Sequence, residues 1–223
     1  MSAWCTVAGL SAFSGRLHLP RIGAWTADVR LDSQSMPAGR VEVVLADGAL
    51  RLVGTVLPGV SGVTLGAAHV RVVGGAAGLR RTLPAAGYQN VPLSVPLRAL
   101  LADAGEVLAA EADAGALALF LPRWARMAGT AARSLEALAA RAGVSWRVLP
   151  SGAVWLGPER WKAAAGAYEV LEEVPAQRAV WLASDAPSVL PGQVLFGRPV
   201  AHVAHHFGPE EMRLAVTFED TTP

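Results

Sequence analysis

Between Thr130 and Gly157 the chain changes periodicity once, and abruptly. Ala131, Leu135, Leu138 and Ala142 recur at helical spacing, while Arg133, Glu136 and Arg141 fall on other faces. Thr130 stands where an N-cap is needed, and Gly143 where a left-handed residue ends a helix at least cost. The pattern then turns to period two. Val144, Trp146 and Val148 point one way, Ser145 and Arg147 the other. Pro150-Ser151-Gly152 supplies a turn, and Ala153 to Leu156 returns as the partner strand. The stretch predicts a short amphipathic helix running straight into a tight hairpin, a packing unit with no residue placed for chemistry.

Strand signals surround this unit. Ala27, Val29 and Leu31 alternate with Asp28, Arg30 and Asp32, and Val41, Val43 and Leu45 alternate with Arg40, Glu42 and Val44. Asp47-Gly48 joins that run to Ala49–Leu57, the strongest short-range hairpin signal in the chain. His69 to Val73 adds a strand and Leu79 to Leu83 another, whereas residues 1 to 24 predict one short strand near Trp4 to Val7. This is the spacing of an antiparallel sheet or small barrel, with Gly54, Gly59 and Gly66 as bulges or corners. Ser94 is read as the cap of a helix through Leu97, Leu100, Leu101 and Leu108, divided at Gly105. Ala116 to Leu121 reads as a strand or a buried turn. After Lys162 the strands resume over Glu169–Val174, Arg178–Ala183, Val194–Phe196, Pro199–Phe207 and Met212–Glu219, with turns at Pro187, Pro191-Gly192 and Gly208-Pro209 and a tail from Asp220. The resulting division is 1–90 (β-rich), 91–165 (mixed α/β) and 166–223 (β-rich).

The chain's 223 residues, 52% of them hydrophobic, suffice for one large core or two small ones. Its 19 basic residues are arginines except Lys162, and 18 acidic residues balance them, so net charge gives no case for nucleic acid or an anionic membrane. One cysteine, Cys5, excludes an intrachain disulfide and a cysteine-based zinc site. The first basic residue is Arg16, which argues against a secretory signal. Leu52 to Val70, the least charged run, is long enough to look membrane-like, yet Pro58 and its glycines suit strands and turns. The expectation is a soluble protein made in a cytoplasm.

The best chemical candidate is His202, His205 and His206, with Glu210 and Glu211 behind them. Histidine commonly ligates zinc or iron, so these three are the candidate metal ligands. On a strand, however, His202 and His206 share a face and His205 takes the other, so a metal site needs a bulge to reunite them. The simpler reading is of partly exposed strand or interface residues. Gly59-Val60-Ser61-Gly62 lacks the last glycine of a nucleophile elbow, and Gly74-Gly75-Ala76-Ala77-Gly78 lacks the Lys-Ser/Thr ending of a phosphate loop. Asp28, Asp32 and Asp47 do not pair as acid and base, and Cys5 reads as a packed thiol. Among seven tryptophans, Trp146, Trp155 and Trp161 are assigned to the mixed module and Trp4, Trp25 and Trp181 to the β units. No catalytic residue and no cofactor are expected.

Several motifs carry a resemblance. Gly87-Tyr88-Gln89-Asn90-Val91-Pro92 precedes Leu97–Glu106, and Ser134–Gly157 ends in Trp-Arg-Val-Leu-Pro-Ser-Gly-Ala-Val-Trp-Leu-Gly. Leu190–His205 and Arg213–Glu219 then read as closing hairpins, with a Pro-Gly step, a Gly-Arg pair and a valine-histidine strand. In this order the parts resemble the baseplate hub proteins of tailed phages, the late control protein D and Mu-like hub family, related to VgrG barrels. The resemblance implies a mainly β fold with an α+β insertion: two small antiparallel β-barrels flanking a helix-hairpin α/β module. It implies a virion structural protein of the tail tip, a homotrimeric ring adapting a sixfold tail tube to a threefold spike or fibre. Its partners would be itself, the tail tube or distal tail protein, the spike or fibre protein and the tape measure protein, with DNA passing a lumen unread and no membrane. The H-x-H iron motif of spike tips and a wall-degrading insertion are both missing from the pattern, which favours the ring itself. The rival readings are a small cell-wall or ester-cleaving hydrolase using His202 to His206, a tail assembly chaperone, and a carbohydrate-binding module.

Overall fold

The computed structural model describes residues 4–166, 168–183, 188–209 and 212–219. In chain order the elements are β1 (Cys5–Val7), β2 (Leu10–Pro20), β3 (Thr26–Leu31), β4 (Arg40–Leu45), β5 (Leu50–Val56), β6 (Gly62–Thr64) and β7 (Ala67–Gly74). Then come β8 (Thr82–Leu83), β9 (Ala86–Pro92), α1 (Ser94–Ala104), α2 (Ala114–Ala118), β10 (Phe120–Arg126), β11 (Gly129–Thr130) and α3 (Ala131–Ala142). The last are β12 (Ser145–Val148), β13 (Val154–Gly157), β14 (Lys162–Ala163), β15 (Val170–Val174), β16 (Ala179–Ala183), β17 (Gln193–Leu195), β18 (Arg198–Phe207) and β19 (Met212–Phe218). The fold is mainly β with a small helical insertion. The predicted turn at Pro187, the carboxylates Glu210 and Glu211, and the tail from Asp220 lie outside the described residues.

The first β unit closes. Antiparallel pairings run β1-β4-β5-β7-β3-β2 and return from β2 to β1. Period-two alternation puts Leu17 and Leu19, Ala27, Val29 and Leu31, Val41, Val43 and Leu45, and Val70 and Val72 inside, all buried. Trp25 plugs one end. A Cβ on Gly54 or on Gly74 would come within 2.6 Å of its indole, so both glycines are there for want of a side chain. That is the role of Gly54, while Gly59 lies in the 3-10 turn Pro58–Val60 and Gly66 takes the left-handed position before β7.

The strand that ties the halves together is β2, and the alternation rule did not predict it: residues 1 to 24 hold eleven further strand residues, not one short strand alone. Its first residues pair with β1, closing the barrel, while Gly15 to Pro20 pair with β18. A register shift between Ala12 and Ser14 marks the handover. Gly15 sits there because a Cβ would meet the Phe207 ring at 2.6 Å and the Asp28 carbonyl at 2.8 Å. From β2 the sheet continues β18-β19-β16-β15, with β17 pairing the start of β18 and β14 parallel to β17. Val203, Leu214, Val216, Val180 and Leu182 extend the buried face.

The inserted module is as its local pattern predicts at α3. The Thr130 hydroxyl accepts from the Arg133 N–H, Gly143 takes φ +67°, and β12 pairs with β13. Elsewhere it differs. Helix α1 starts at Ser94 with Leu93 as the flanking residue, and it stops at Gly105 (φ +77°), so Leu108 lies beyond it. Ala116 to Leu121 divides between α2, capped by the Asp113 side chain, and the strand β10. Leu79 lies in a 3-10 turn before the two-residue β8.

Candidate functional site

The three candidate histidines do not converge. His205 points into the core at 1% exposure, its ring centroid 6.2 Å from that of Trp4. Burial, with the neighbouring His206 charge, pulls its pKa from 6.5 down to about 4, so it is neutral in the folded chain. His202 and His206 lie on the outer face of β18. Between them comes His18 of β2, stacked on His202 at 5.4 Å and edge-on to His206 at 6.2 Å, with Trp181 of β16 5.2 Å from His206. The His202 pKa is lowered by burial and by these imidazoles. Stacked rings present faces, not lone pairs, to one another. Among the described residues no three His, Cys, Asp or Glu side chains are grouped to hold a metal ion. His18 was not a sequence candidate, since only the β2–β18 pairing brings it there.

A second cluster fastens the module to both β units. Arg147 of β12 gives Nη1 and Nη2 to the Glu159 carboxylate at 2.6 and 3.1 Å, and its guanidinium lies 4.3 Å over the Trp155 ring. Glu159 also faces Arg21 at 3.6 Å. Arg21, just after β2, donates to Ser145 at 2.7 Å and pairs with Glu219 at the end of β19. Backbone bonds run alongside: Gly23 donates to Trp146 at 3.1 Å and Val148 donates to Gly23 at 2.9 Å. Charged groups this well paired and partly buried fix an orientation more than they add stability.

The glycine-rich loop is an anion receptacle filled from within. The Glu106 carboxylate, 7% exposed, accepts from the Ala76 N–H at 2.9 Å and the Gly78 N–H at 2.8 Å. Successive backbone N–H groups in such a turn favour an anion, and here a side chain of the inserted module supplies it. Gly78 cannot change, because a Cβ would lie 1.7 Å from the Ala104 carbonyl.

Open surfaces remain among the described residues, including one of about 530 Å³ beside Trp146 whose only charged lining residue is Arg80. A cleft of about 610 Å³ lies where the module meets both β units, lined by Trp25, Trp155, Glu111, Asp113, Arg147 and Lys162 among others. A groove of about 500 Å³ crosses the outer barrel face over Arg16, Asp28, Arg30, His69, Arg71 and His206. Large apolar side chains are exposed at Phe120 (58%) and Met127 (76%) on the β9–β10 ribbon and its exit. None of these surfaces gathers a nucleophile with a base. Among the described residues no helix is long and apolar enough to cross a membrane.

No family model matches the chain, and no curated protein does. Solved structures do. The 43 kDa tail protein of prophage MuSo2 from Shewanella oneidensis superposes with a TM-score of 0.67 at 11% identity, covering 96% of each chain. The tail protein from Neisseria meningitidis MC58 gives 0.65 at 12% identity, over 97% of this chain and 96% of that one. The E. coli c3393 protein gives 0.64 at 12% identity, over 97% of this chain and 77% of that one. It is described as a component of the type VI secretion system similar in structure to the T4 bacteriophage tail proteins gp27 and gp5. Over 96–97% of its length, this chain has the fold of these tail proteins.

Proposed function

We propose that the protein is a non-enzymatic structural component of a phage tail or tail-like particle, acting as a baseplate hub. Three copies form a ring at the tail tip. The single observation that carries this reading is the pairing of β2 with β18, which sets two β units side by side in one chain. Three such chains present six units toward a sixfold tube and three toward a spike or fibre. The likeness to tail proteins over almost the whole chain supports the same reading. In it the chain's partners are its own copies, the tail tube or distal tail protein, the spike or fibre protein and the tape measure protein. The module of α3, β12 and β13 stands on the outside of the ring.

The role is adaptation by shape. The Arg21–Glu159–Arg147 cluster and the Glu106 receptacle hold the module in one orientation, and a rigid adaptor needs that rigidity. DNA passes the lumen without being read. Cryo-electron microscopy of intact tailed particles, averaged with threefold symmetry at the tip, tests this. Three copies between tube and spike are expected. Particles lacking the chain would overturn the reading and favour an assembly chaperone.

A further inference from the structure

The two β units carry opposite charge on surfaces that remain exposed. Directly paired strand residues share a face, and on the outer barrel face Arg16 lies opposite Asp28, Asp28 opposite Arg71, and Arg30 opposite His69. These residues line the groove of about 500 Å³, with His206 at its border. Asp28 is the one carboxylate in that lining, and it is held by Arg71, Nη2 to Oδ2 at 2.8 Å. Arg16 is exposed, and it makes no ion pair among the described residues. The Arg30 guanidinium lies 4.7 Å over the Phe13 ring with a buried Nε that lacks a hydrogen-bond partner.

At the far end of the sheet, β15 pairs only with β16 among the described residues. Its Glu172 and Glu173 are exposed, as is Glu169 just before it, and Val170 and Leu171 are 41% and 48% exposed. An open edge offers unpaired N–H and C=O groups to any passing strand. Carboxylates beside it repel acidic partners and admit a cationic one. The same chain carries that cationic surface elsewhere. Two complementary patches at different places make a head-to-tail contact, which closes into a ring when its rotation allows.

We propose that neighbouring copies meet head to tail, the Glu172–Glu173 edge of one seated on the Arg16–Arg30–Arg71 groove of the next. The proposal rests on the ring reading above and names its contact. The occupant is a second copy, because charge complementarity is met within the chain.

Sedimentation velocity on the full chain tests it, with circular dichroism as the check that each variant folds. The wild type is expected to be trimeric at low salt and to dissociate as salt screens the contact. Arg16→Glu with Arg30→Glu, and separately Glu172→Arg with Glu173→Arg, should each weaken assembly by at least about tenfold. Combining all four substitutions in one chain restores opposite charges and should restore the trimer. Double variants as trimeric as the wild type would overturn the contact and leave the ring standing, and so would a folded four-substitution chain that stays monomeric. A folded wild type that is monomeric at every concentration would overturn the ring reading and the contact together. If the trimer survives Arg16→Glu with Arg30→Glu while binding to a short DNA duplex is lost, the groove belongs to a polyanion and the contact is refuted.

Discussion

Arg147 of the β12–β13 hairpin and Glu159, two residues beyond the end of β13, meet fork to fork at 2.6 and 3.1 Å. The pair explains why an arginine follows Trp146: the tryptophan is buried beneath the strand, and the arginine reaches from its other face to the linker that leaves the module.

Replacing Arg147 by Met should lower stability by roughly 2–4 kcal/mol, since it strands the nearly buried Glu159 carboxylate with Arg21 alone. The double change Arg147→Met with Glu159→Met should recover part of that loss. Urea midpoints of the single and double variants measure both. Equal losses that simply add would show that the two side chains act independently.

Glu106→Gln keeps the shape of the side chain but aims an amide N–H at one of the two donors it now receives. A cost of about 1–3 kcal/mol is expected. Hydrogen exchange at the Ala76 and Gly78 amides should quicken well before exchange in the barrel strands. Unchanged protection at both amides would show that the loop holds without the carboxylate.

His205 of β18 makes the folded chain acid-sensitive. Its folded pKa of about 4 lies below the ordinary 6.5, so the unfolded chain binds the proton first. The stability it contributes is present above about pH 6.5, declines as pH falls and is lost below about 4, a difference of about 3 kcal/mol. His205→Leu should flatten that part of the curve in urea titrations at several pH values. A variant with the wild-type slope would assign the acid sensitivity to other groups.

Cys5 is 1% exposed, and burial pushes its thiol pKa up to about 12. The folded protein should therefore resist a thiol-reactive dye at neutral pH and react only as it unfolds. Mass spectrometry after timed labelling reads this directly. Labelling as fast as in denaturant would mean that β1 opens from the barrel without global unfolding.

Elements whose signals are local were legible in the chain. The Asp47-Gly48 turn between β4 and β5, and the Thr130 cap, Gly143 stop and β12–β13 hairpin, all lie within a few residues of their causes. Strand β2 was hidden because its alternation breaks between Ala12 and Ser14, where the register shifts. The candidate histidines were visible singly, but their grouping was not. His18 joins His202 and His206 only through a pairing between strands at opposite ends of the chain.

Period, capping and left-handed glycine act over a few bonds, so the class of fold, the turns and the helix-hairpin unit are readable from the residues alone. Long-range packing alone sets three features: β2 divides its edge between β1 and β18, Gly54 and Gly74 give their space to Trp25, and Glu106 fills the glycine-rich loop. Each of those depends on which distant surfaces exclude water together, and burial is non-directional, so no local pattern encodes its partner.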